Sequence, residues 1–398
     1  MSSYEDIKKR LEKYWIDYLN KNIKNFSSSI SGASPPSVFV GQYGYPRVNL
    51  GPMVPPLHGD TKLLDSPEMW IGKNLQEILD YRLSLVRGVN SFKVTDINQR
   101  FITSLQELIM SSKSAESEMN FHSKPQLYSN IFSQNSSFNF ESPPFGPKVD
   151  LKSFKVSSIT TNKKIEYYFS DGDIKAANAV VELYKNGIEI SQINKILSLG
   201  MLGKKKNRKL VPTRWSISAT DDIISSYLIK ELEQNPSIDS FTVLKYNHFS
   251  NYYSVILLPS EVWSFEMVEA WYDHKDKKFV LESDFEDANG LDHYPKIAGA
   301  YFAARLAVAE YLSRMKRKAA VLIFREIHPE YIIPLGVWQI REGIREVLRS
   351  RSPEIFQDFQ SALMYSCKDF KVSISDWINK SKLYKNYGQQ LRISQFFK

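Results

Sequence analysis

The chain has one cysteine in 398 residues, Cys367, and this scarcity removes several classes of site. A single thiol forms no disulfide and no cysteine-based zinc site within one chain. The six histidines are scattered, and no pair has the spacing of metal ligands such as HxxxH. We therefore expect no metal site, and the sequence leaves open whether another cofactor is bound.

Long apolar runs and the common catalytic motifs are absent as well. No stretch reaches the roughly 18 apolar residues of a membrane span, and the N-terminal "MSSYEDIKKR" has no apolar core of a signal peptide. We expect a cytoplasmic protein without a membrane partner. The sequence contains no P-loop, no GxGxxG and no nucleophile elbow, so whether the protein is an enzyme stays open.

Aromatic residues and positive charge are abundant. The chain has 23 Phe, 22 Tyr and 7 Trp, and its formal net charge is +8. Aromatic side chains can fill a core, and they also supply faces on which nucleic-acid bases stack. Net charge alone does not separate a mildly basic protein from a nucleic-acid binder, so the distribution of the charge decides.

Helical and strand patterns alternate along the chain, which predicts a mixed α/β (α+β) fold with a central mixed sheet and surrounding helices. Helices are expected over 74–87, 97–112, 296–317, 336–350, 352–367 and 373–386, and a buried strand over 319–327. The predicted regions are an N-terminal helix over 1–30, a main region over 31–295 with a loop at 122–148, a C-terminal region over 296–388, and a flexible tail over 389–398.

The densest positive charge lies in a segment that resembles a winged helix-turn-helix, residues 171–215. Two short helices that end at Gly187 and Gly200 are followed by a basic loop, as in that motif. As a wing, this loop would neutralise DNA phosphates; the alternative is a merely solvated loop. The DNA-binding candidates are Lys204, Lys205, Lys206, Arg208, Lys209 and Arg214.

The stretch "FVGQYGYPRVN" has the composition of a ligand-binding loop. Its glycines permit close backbone approach, and its tyrosines, arginine and asparagine suit a phosphate or a nucleotide. A Gly/Pro loop packed on the core by its tyrosines is the alternative. The ligand-binding candidates are Gly41, Tyr43, Gly44, Arg47 and Asn49, with Arg87 from the nearby "LVRG".

Three further residues are catalytic candidates. Asp60 lies in "HGDTKLLDSPE", where the acidic residues would either hold a cation or cap a helix. Glu326 and His328 lie in "REIHPE" at the end of the predicted buried strand, where α/β proteins often place sites; a hydrogen-bonded structural histidine is the alternative. The alternative function is an enzyme that acts on nucleic acid or nucleotides, with a site at the "FVGQYGYPR" loop and "REIHPE" also lining it. Such an enzyme would be nuclease-like or would transfer a nucleotidyl or ADP-ribosyl group.

The last nine residues, "QLRISQFFK", contain two adjacent phenylalanines where chains are usually polar. Gln390, Ile393, Phe396 and Phe397 match the box Gln-x-x-(Ile/Leu/Met)-x-x-aromatic-aromatic, which docks replication and repair proteins on the sliding clamp PCNA. On a short helical turn, the three apolar side chains share one face and can enter an apolar groove. The alternative is a tail folded onto its own core.

Several longer stretches together resemble the archaeal Nre family. They include "SPPSVFVGQYGYPRVNLGPMVPP", "LVPTRWSISATDD", "EVWSFEMVEAW" and "REIHPEYIIPLGVWQIRE", and the resemblance runs from about residue 34 to the C-terminus. The resemblance implies a DNA-repair protein that binds PCNA through its C-terminal box. Family members often begin with a cysteine-rich, zinc-finger-like segment; this chain has no cysteine there, so no zinc is carried over.

Overall fold

The computed structural model describes residues 13, 17, 28–123, 146–331, 333, 335–350 and 353–387. Described residues up to Ile224, with Ile333 and Leu335, form one compact unit, and the others form a second. Most of the predicted N-terminal helix, most of the 122–148 loop and the whole tail over 389–398 lie outside the described residues. In the described part of the chain, no helix is both long and apolar enough to span a lipid bilayer.

The N-terminal unit contains a six-stranded sheet of order β1-β5-β6-β4-β3-β2. Its neighbouring strands are antiparallel except β4 and β6, which are parallel. The strands are β1 Ser29–Ser34, β2 Val38–Val40, β3 Arg47–Val54, β4 Val86–Lys93, β5 Ala115–Phe121 and β6 Lys148–Val156. The helices are α1 Leu75–Leu83, α2 Arg100–Met110, α3 Lys163–Ser170, α4 Ala176–Lys185 and α5 Ile190–Ser198, with 3₁₀ turns at Lys62–Asp65, Pro67–Met69 and Lys205–Asn207.

Alternation along β3 places polar side chains on the surface at one end of this sheet. Val48 and Leu50 are buried, whereas Arg47 and Asn49 are exposed. This is the two-residue period of a strand with one covered face. Arg47 pairs with Lys93 of β4, so the exposed ends of both strands carry cations.

The second unit contains another six-stranded sheet, of order β10-β9-β11-β8-β7-β12. A long helix, α6 Thr213–Leu232, leads into it. The strands are β7 Phe241–His248, β8 Asn251–Leu258, β9 Ser264–Asp273, β10 Lys278–Glu286, β11 Ala320–Ile327 and β12 Glu354–Phe356. The helices are α7 Gly299–Met315, α8 Trp338–Ser350, α9 Phe359–Cys367 and α10 Ile374–Lys380, followed by helical residues 382–387.

Strand β11 is the centre of this second sheet. It is parallel to β9 and antiparallel to β8, and all eight of its residues are buried. Val321 and Ile323 join a cluster with residues of α7 and α8, while Leu322 and Phe324 join one with residues of α9 and α10. Two covered faces explain why this segment reads as a continuous apolar run.

The predicted α+β class is confirmed, with the strands divided between two mixed sheets. The segment over 171–215 differs from a winged helix, because residues 199–212 contain a 3₁₀ turn and no strand. Their backbone bonds go elsewhere: Leu210 N donates to Val94 O, and Val211 N donates to Ser198 O. The loop is therefore fixed against its neighbours and does not project as a β hairpin.

Candidate nucleic-acid interface

Three segments that are distant in sequence meet at Val94. Its N–H donates to Pro46 O over 2.9 Å, and its carbonyl accepts from Leu210 N over 2.8 Å. The start of α6 joins them, because Val40 N donates to Thr213 Oγ1 over 2.9 Å. The "FVGQYGYPR" loop, the end of β4 and the basic loop therefore lie side by side within the N-terminal unit.

Large aromatic rings are exposed where these segments meet. Tyr43, Tyr45 and Trp215 are 75%, 50% and 46% exposed. The rings of Tyr45 and Trp215 contact each other, with centroids 5.1 Å apart and planes inclined by 51°. Exposed aromatic rings offer faces on which nucleic-acid bases can stack.

The turn that carries the tyrosines depends on a glycine. Gly44 has a φ of +86°, a left-handed conformation that favours glycine. The N–H of Arg47 donates to Gly44 O over 2.8 Å and closes the turn. Gly41 N donates to Asn49 O over 2.8 Å and fixes the base of the loop.

Exposed cations lie on the segments that meet at Val94, and they have no acidic partners among the described residues. Arg47 and Lys93 lie opposite each other across the paired strands β3 and β4. Two like charges in this position repel each other and destabilise the pairing. Neither forms an ion pair with a described residue, and the same is true of the exposed loop lysines. We call the following residues the basic–aromatic surface: Tyr43, Tyr45, Trp215, Arg47, Lys93, Lys204, Lys205, Lys206 and Lys209.

Arg208 differs from its lysine neighbours because its guanidinium is engaged inside the protein. It donates to the carbonyls of Gly203, Phe169 and Asp171 over 2.8, 2.8 and 2.7 Å, and it lies over the Phe169 ring at 5.5 Å. Burial lowers the pKa of Arg208, and the charge of Asp171 opposes that shift. The side chain anchors the basic loop to the end of α3. Arg214 is exposed beside Trp215.

Arg87 does not join the other ligand-binding candidates. It pairs with Met53 near one end of β4, whereas Lys93 pairs with Arg47 at the other. Six residues of strand separate the two positions, about 20 Å. The Arg87 guanidinium lies 5.2 Å from the centre of the Phe39 ring.

Asp60 is an exposed residue that bonds to its own turn. Its carboxylate accepts from Lys62 N over 3.0 Å, a local turn bond of the Asx type. The N-cap positions of the two following 3₁₀ turns, Thr61 and Ser66, make no side-chain capping bond. Nearby, Glu68 accepts from Ser191 N at the start of α5, over 2.9 Å. Among the described residues, no three His, Cys, Asp or Glu side chains are grouped to hold a metal ion.

Glu326 and His328 form a buried pair in the second unit. The carboxylate of Glu326 contacts His328 Nε2 at 2.6 Å and accepts from the backbone N–H groups of Lys371 and Val372 over 2.9 and 2.8 Å. The imidazole stacks on Tyr252, with centroids 4.2 Å apart. Through these hydrogen bonds, the carboxylate holds residues 371–372 against the sheet.

An open depression of about 670 Å³ adjoins this pair. Three of its lining residues are lysines, but two of them already face acids. Lys380 pairs with Glu282 over 2.8 Å, and Lys278 pairs with Asp276 over 3.2 Å. The depression therefore presents less free positive charge than the basic–aromatic surface.

Matches to known proteins extend over nearly the whole chain. Residues 11–275 match the family model described as Archaeal Nre, N-terminal, and residues 286–396 match Archaeal Nre, C-terminal. The chain belongs to the archaeal Nre family. The matched ranges contain the whole first sheet, every strand of the second sheet except β10, and most of the C-terminal box.

Curated relatives agree with this assignment. The chain is 37% identical over 372 residues to the DNA repair protein NreB of Archaeoglobus fulgidus, with 92% of each chain covered. It is 36% identical to NreA of the same organism and 30% identical to NreA of Haloferax volcanii, with 92% of this chain and 90% of each relative covered. No solved structure matches it significantly.

Sequence reasoning missed two members of the basic–aromatic surface of this Nre protein, Lys93 and Trp215. Lys93 is the last residue of β4, in "SFKVTD". It differs from other surface lysines only in lying opposite Arg47 of β3, and this pairing cannot be read from the sequence. Trp215 directly follows the basic cluster in "VPTRW", and a tryptophan so close to a charged loop was the available signal.

Proposed function

We propose that this Nre protein is a DNA-repair factor that contacts DNA through the basic–aromatic surface and docks on the sliding clamp PCNA through its C-terminal box. The repair role follows the names of its relatives. The observation that carries DNA contact is a group of exposed cations that form no ion pair with a described residue, on segments that join others with exposed aromatic rings. These cations are Arg47, Lys93 and the four loop lysines. Such a surface suits a polyanion with aromatic bases.

Clamp docking is supported by the sequence match of Gln390, Ile393, Phe396 and Phe397, which lie outside the described residues. Three apolar side chains leaving water contribute roughly 1.5–3 kcal/mol each, and ordering the tail offsets part of that gain. The expected affinity of the isolated peptide is near micromolar, about −8 kcal/mol.

Phosphate neutralisation makes the DNA proposal measurable through salt. Each cation that contacts a phosphate adds about 0.7 to the magnitude of the log–log salt slope on single strands and about 0.9 on duplex. The four loop lysines would therefore contribute about 3 to that slope. Because these side chains have no acidic partners among the described residues, their removal costs little stability.

The test replaces Lys204, Lys205, Lys206 and Lys209 with Glu in the full chain and measures DNA affinity between about 50 and 200 mM salt. The matched control replaces Lys275, Lys277, Lys316 and Lys368, four exposed lysines of the second unit. Each Lys→Glu change removes two charges, so both variants lower the formal net charge from +8 to zero. Only the loop variant should lose affinity and show a flatter slope. Equal behaviour of the two variants would refute DNA contact by the basic loop.

A further inference from the structure

We infer that the basic–aromatic surface binds unpaired nucleotides by stacking their bases on Tyr45, Trp215 and Tyr43, so that this Nre protein prefers single-stranded DNA to intact duplex. The inference rests on the proposed DNA contact, and it adds the form of nucleic acid that the surface recognises. Phosphate contact alone would not distinguish the two forms.

The rings are arranged to receive a base. Because the planes of Tyr45 and Trp215 are inclined by 51°, neither ring covers the other as in a parallel stack. Tyr45 and Trp215 are each about half exposed, and Tyr43 is three-quarters exposed. In a duplex, neighbouring pairs cover the base faces, so only an unpaired strand or an end can occupy these rings.

The backbone beneath the rings is already fixed. Trp215 N donates to Pro212 O over 2.9 Å, and the neighbouring Thr213 accepts from Val40 N. Tyr45 lies in the turn closed by the bond from Arg47 N to Gly44 O. A surface prepared in this way loses little conformational entropy when a base binds.

Cations that could neutralise the phosphates of a bound DNA strand lie on the segments that meet at Val94. Arg47 follows the tyrosine turn, Lys93 lies opposite it, and Lys209 precedes the residue that bonds to Val94. Each of the three segments that meet at Val94 therefore carries a cation directly next in sequence to a residue of the joining hydrogen bonds. A backbone that crosses the rings can be neutralised by each of them, which is the combination used by single-strand-binding surfaces.

The decisive probe is a short thymidine oligonucleotide compared with an abasic strand of the same length, which has the same phosphates and no bases. The full chain should bind the thymidine strand about tenfold or more tightly than the abasic strand, as expected from stacking at one or two bases. It should also favour the thymidine strand over a duplex of equal length. Equal affinity for the thymidine and abasic strands would overturn the inference.

Variants separate stacking from charge. Tyr45→Ala with Trp215→Ala should remove most of the preference for bases, with Tyr43 retaining the rest, while leaving affinity for the abasic strand unchanged. Tyr45→Phe with Trp215→Phe keeps the rings and should retain the preference. Tyr294→Ala, which removes a 65% exposed tyrosine from the second unit, should have no effect. A double alanine variant that binds as the unaltered chain does would also overturn stacking.

The outcomes distinguish this inference from the proposed function. If the four-lysine variant loses affinity for every strand but the aromatic variants do not change it, DNA contact stands and stacking is refuted. If neither set of variants alters binding, both are refuted. A uridine RNA strand of the same length offers similar base faces and the same phosphates. If the protein bound this RNA far more tightly than the DNA strand, DNA would be the wrong ligand.

Discussion

Arg208 and Lys206 lie in the same basic cluster, yet we expect their removal to have different effects. Arg208→Ala should destabilise the basic loop, whereas Lys206→Ala should weaken DNA binding and leave the loop stable. Arg208→Ala deletes three hydrogen bonds from a charged donor, to the carbonyls of Gly203, Phe169 and Asp171. Hydrogen bonds with a charged partner each contribute about 1.5–3 kcal/mol. Because the guanidinium is only partly buried and such losses are not additive, we expect a total of about 2–4 kcal/mol.

That free energy should appear as local opening of the basic loop. Lys205 N donates to Gly172 O, and Asn207 N donates to Lys204 O. Both amides depend on the loop remaining in place. Destabilisation by about 2 kcal/mol raises the population of the open state about thirtyfold, and amide exchange accelerates accordingly. Hydrogen–deuterium exchange of a peptide that covers residues 199–212 measures this directly.

Lys206→Ala is the matched control, because its side chain is exposed and makes no ion pair with a described residue. It should leave exchange of the loop unchanged and alter stability by less than about 0.5 kcal/mol, while weakening DNA binding. Normal exchange in Arg208→Ala together with a large loss of DNA affinity would refute the anchoring role. Arg208 would then be a direct DNA contact.

Two further predictions concern the second unit. Burial raises the pKa of the Cys367 thiol to about 11, so the native protein should resist alkylation at neutral pH and react only after unfolding; rapid stoichiometric labelling of the folded chain would contradict its placement. Glu326→Ala leaves two backbone N–H groups without their acceptor and His328 without its partner. It should lower the free energy of unfolding in urea by about 2–6 kcal/mol, because each buried group left without its partner costs about 1–3 kcal/mol. Glu330→Ala at an exposed position should not lower it, and equal stability of both variants would count against a structural role of Glu326.

Elements with strong local patterns could be predicted from sequence. The alanine-rich stretch expected over 296–317 is α7, Gly299–Met315. The apolar run expected as a buried strand over 319–327 is β11, Ala320–Ile327. In both cases the residues of one short segment determine its structure and its burial.

Other elements depend on partners that local patterns do not reveal. The helix expected over 74–87 ends at Leu83, because Val86 pairs with Val54 of β3 and Arg87 pairs with Lys148 of β6. The helix expected from 352 begins at Phe359, after Asp358 caps it by accepting from Ser361 N. The preceding residues instead pair with β7.

The candidate surface shows the same limit. The tyrosine loop and the basic cluster were both recognisable as separate stretches. What joins them is Val94, through hydrogen bonds to Pro46 and Leu210. Contacts between residues so distant in sequence leave no periodicity and no local motif, so the combination of rings and cations could only be seen in the folded chain.

We propose that separate parts of one chain hold DNA and the clamp, and binding of both partners to two variants tests this most directly. Deleting residues 390–398 should abolish clamp binding in calorimetry and leave DNA affinity within about twofold, as expected for independent sites. The four-lysine variant should lose DNA affinity and bind the clamp normally. Loss of both partners by either variant would contradict separate binding sites, and a deletion that retains clamp binding would contradict docking through the tail. A deletion that lowers the melting temperature would instead place the phenylalanines in the core.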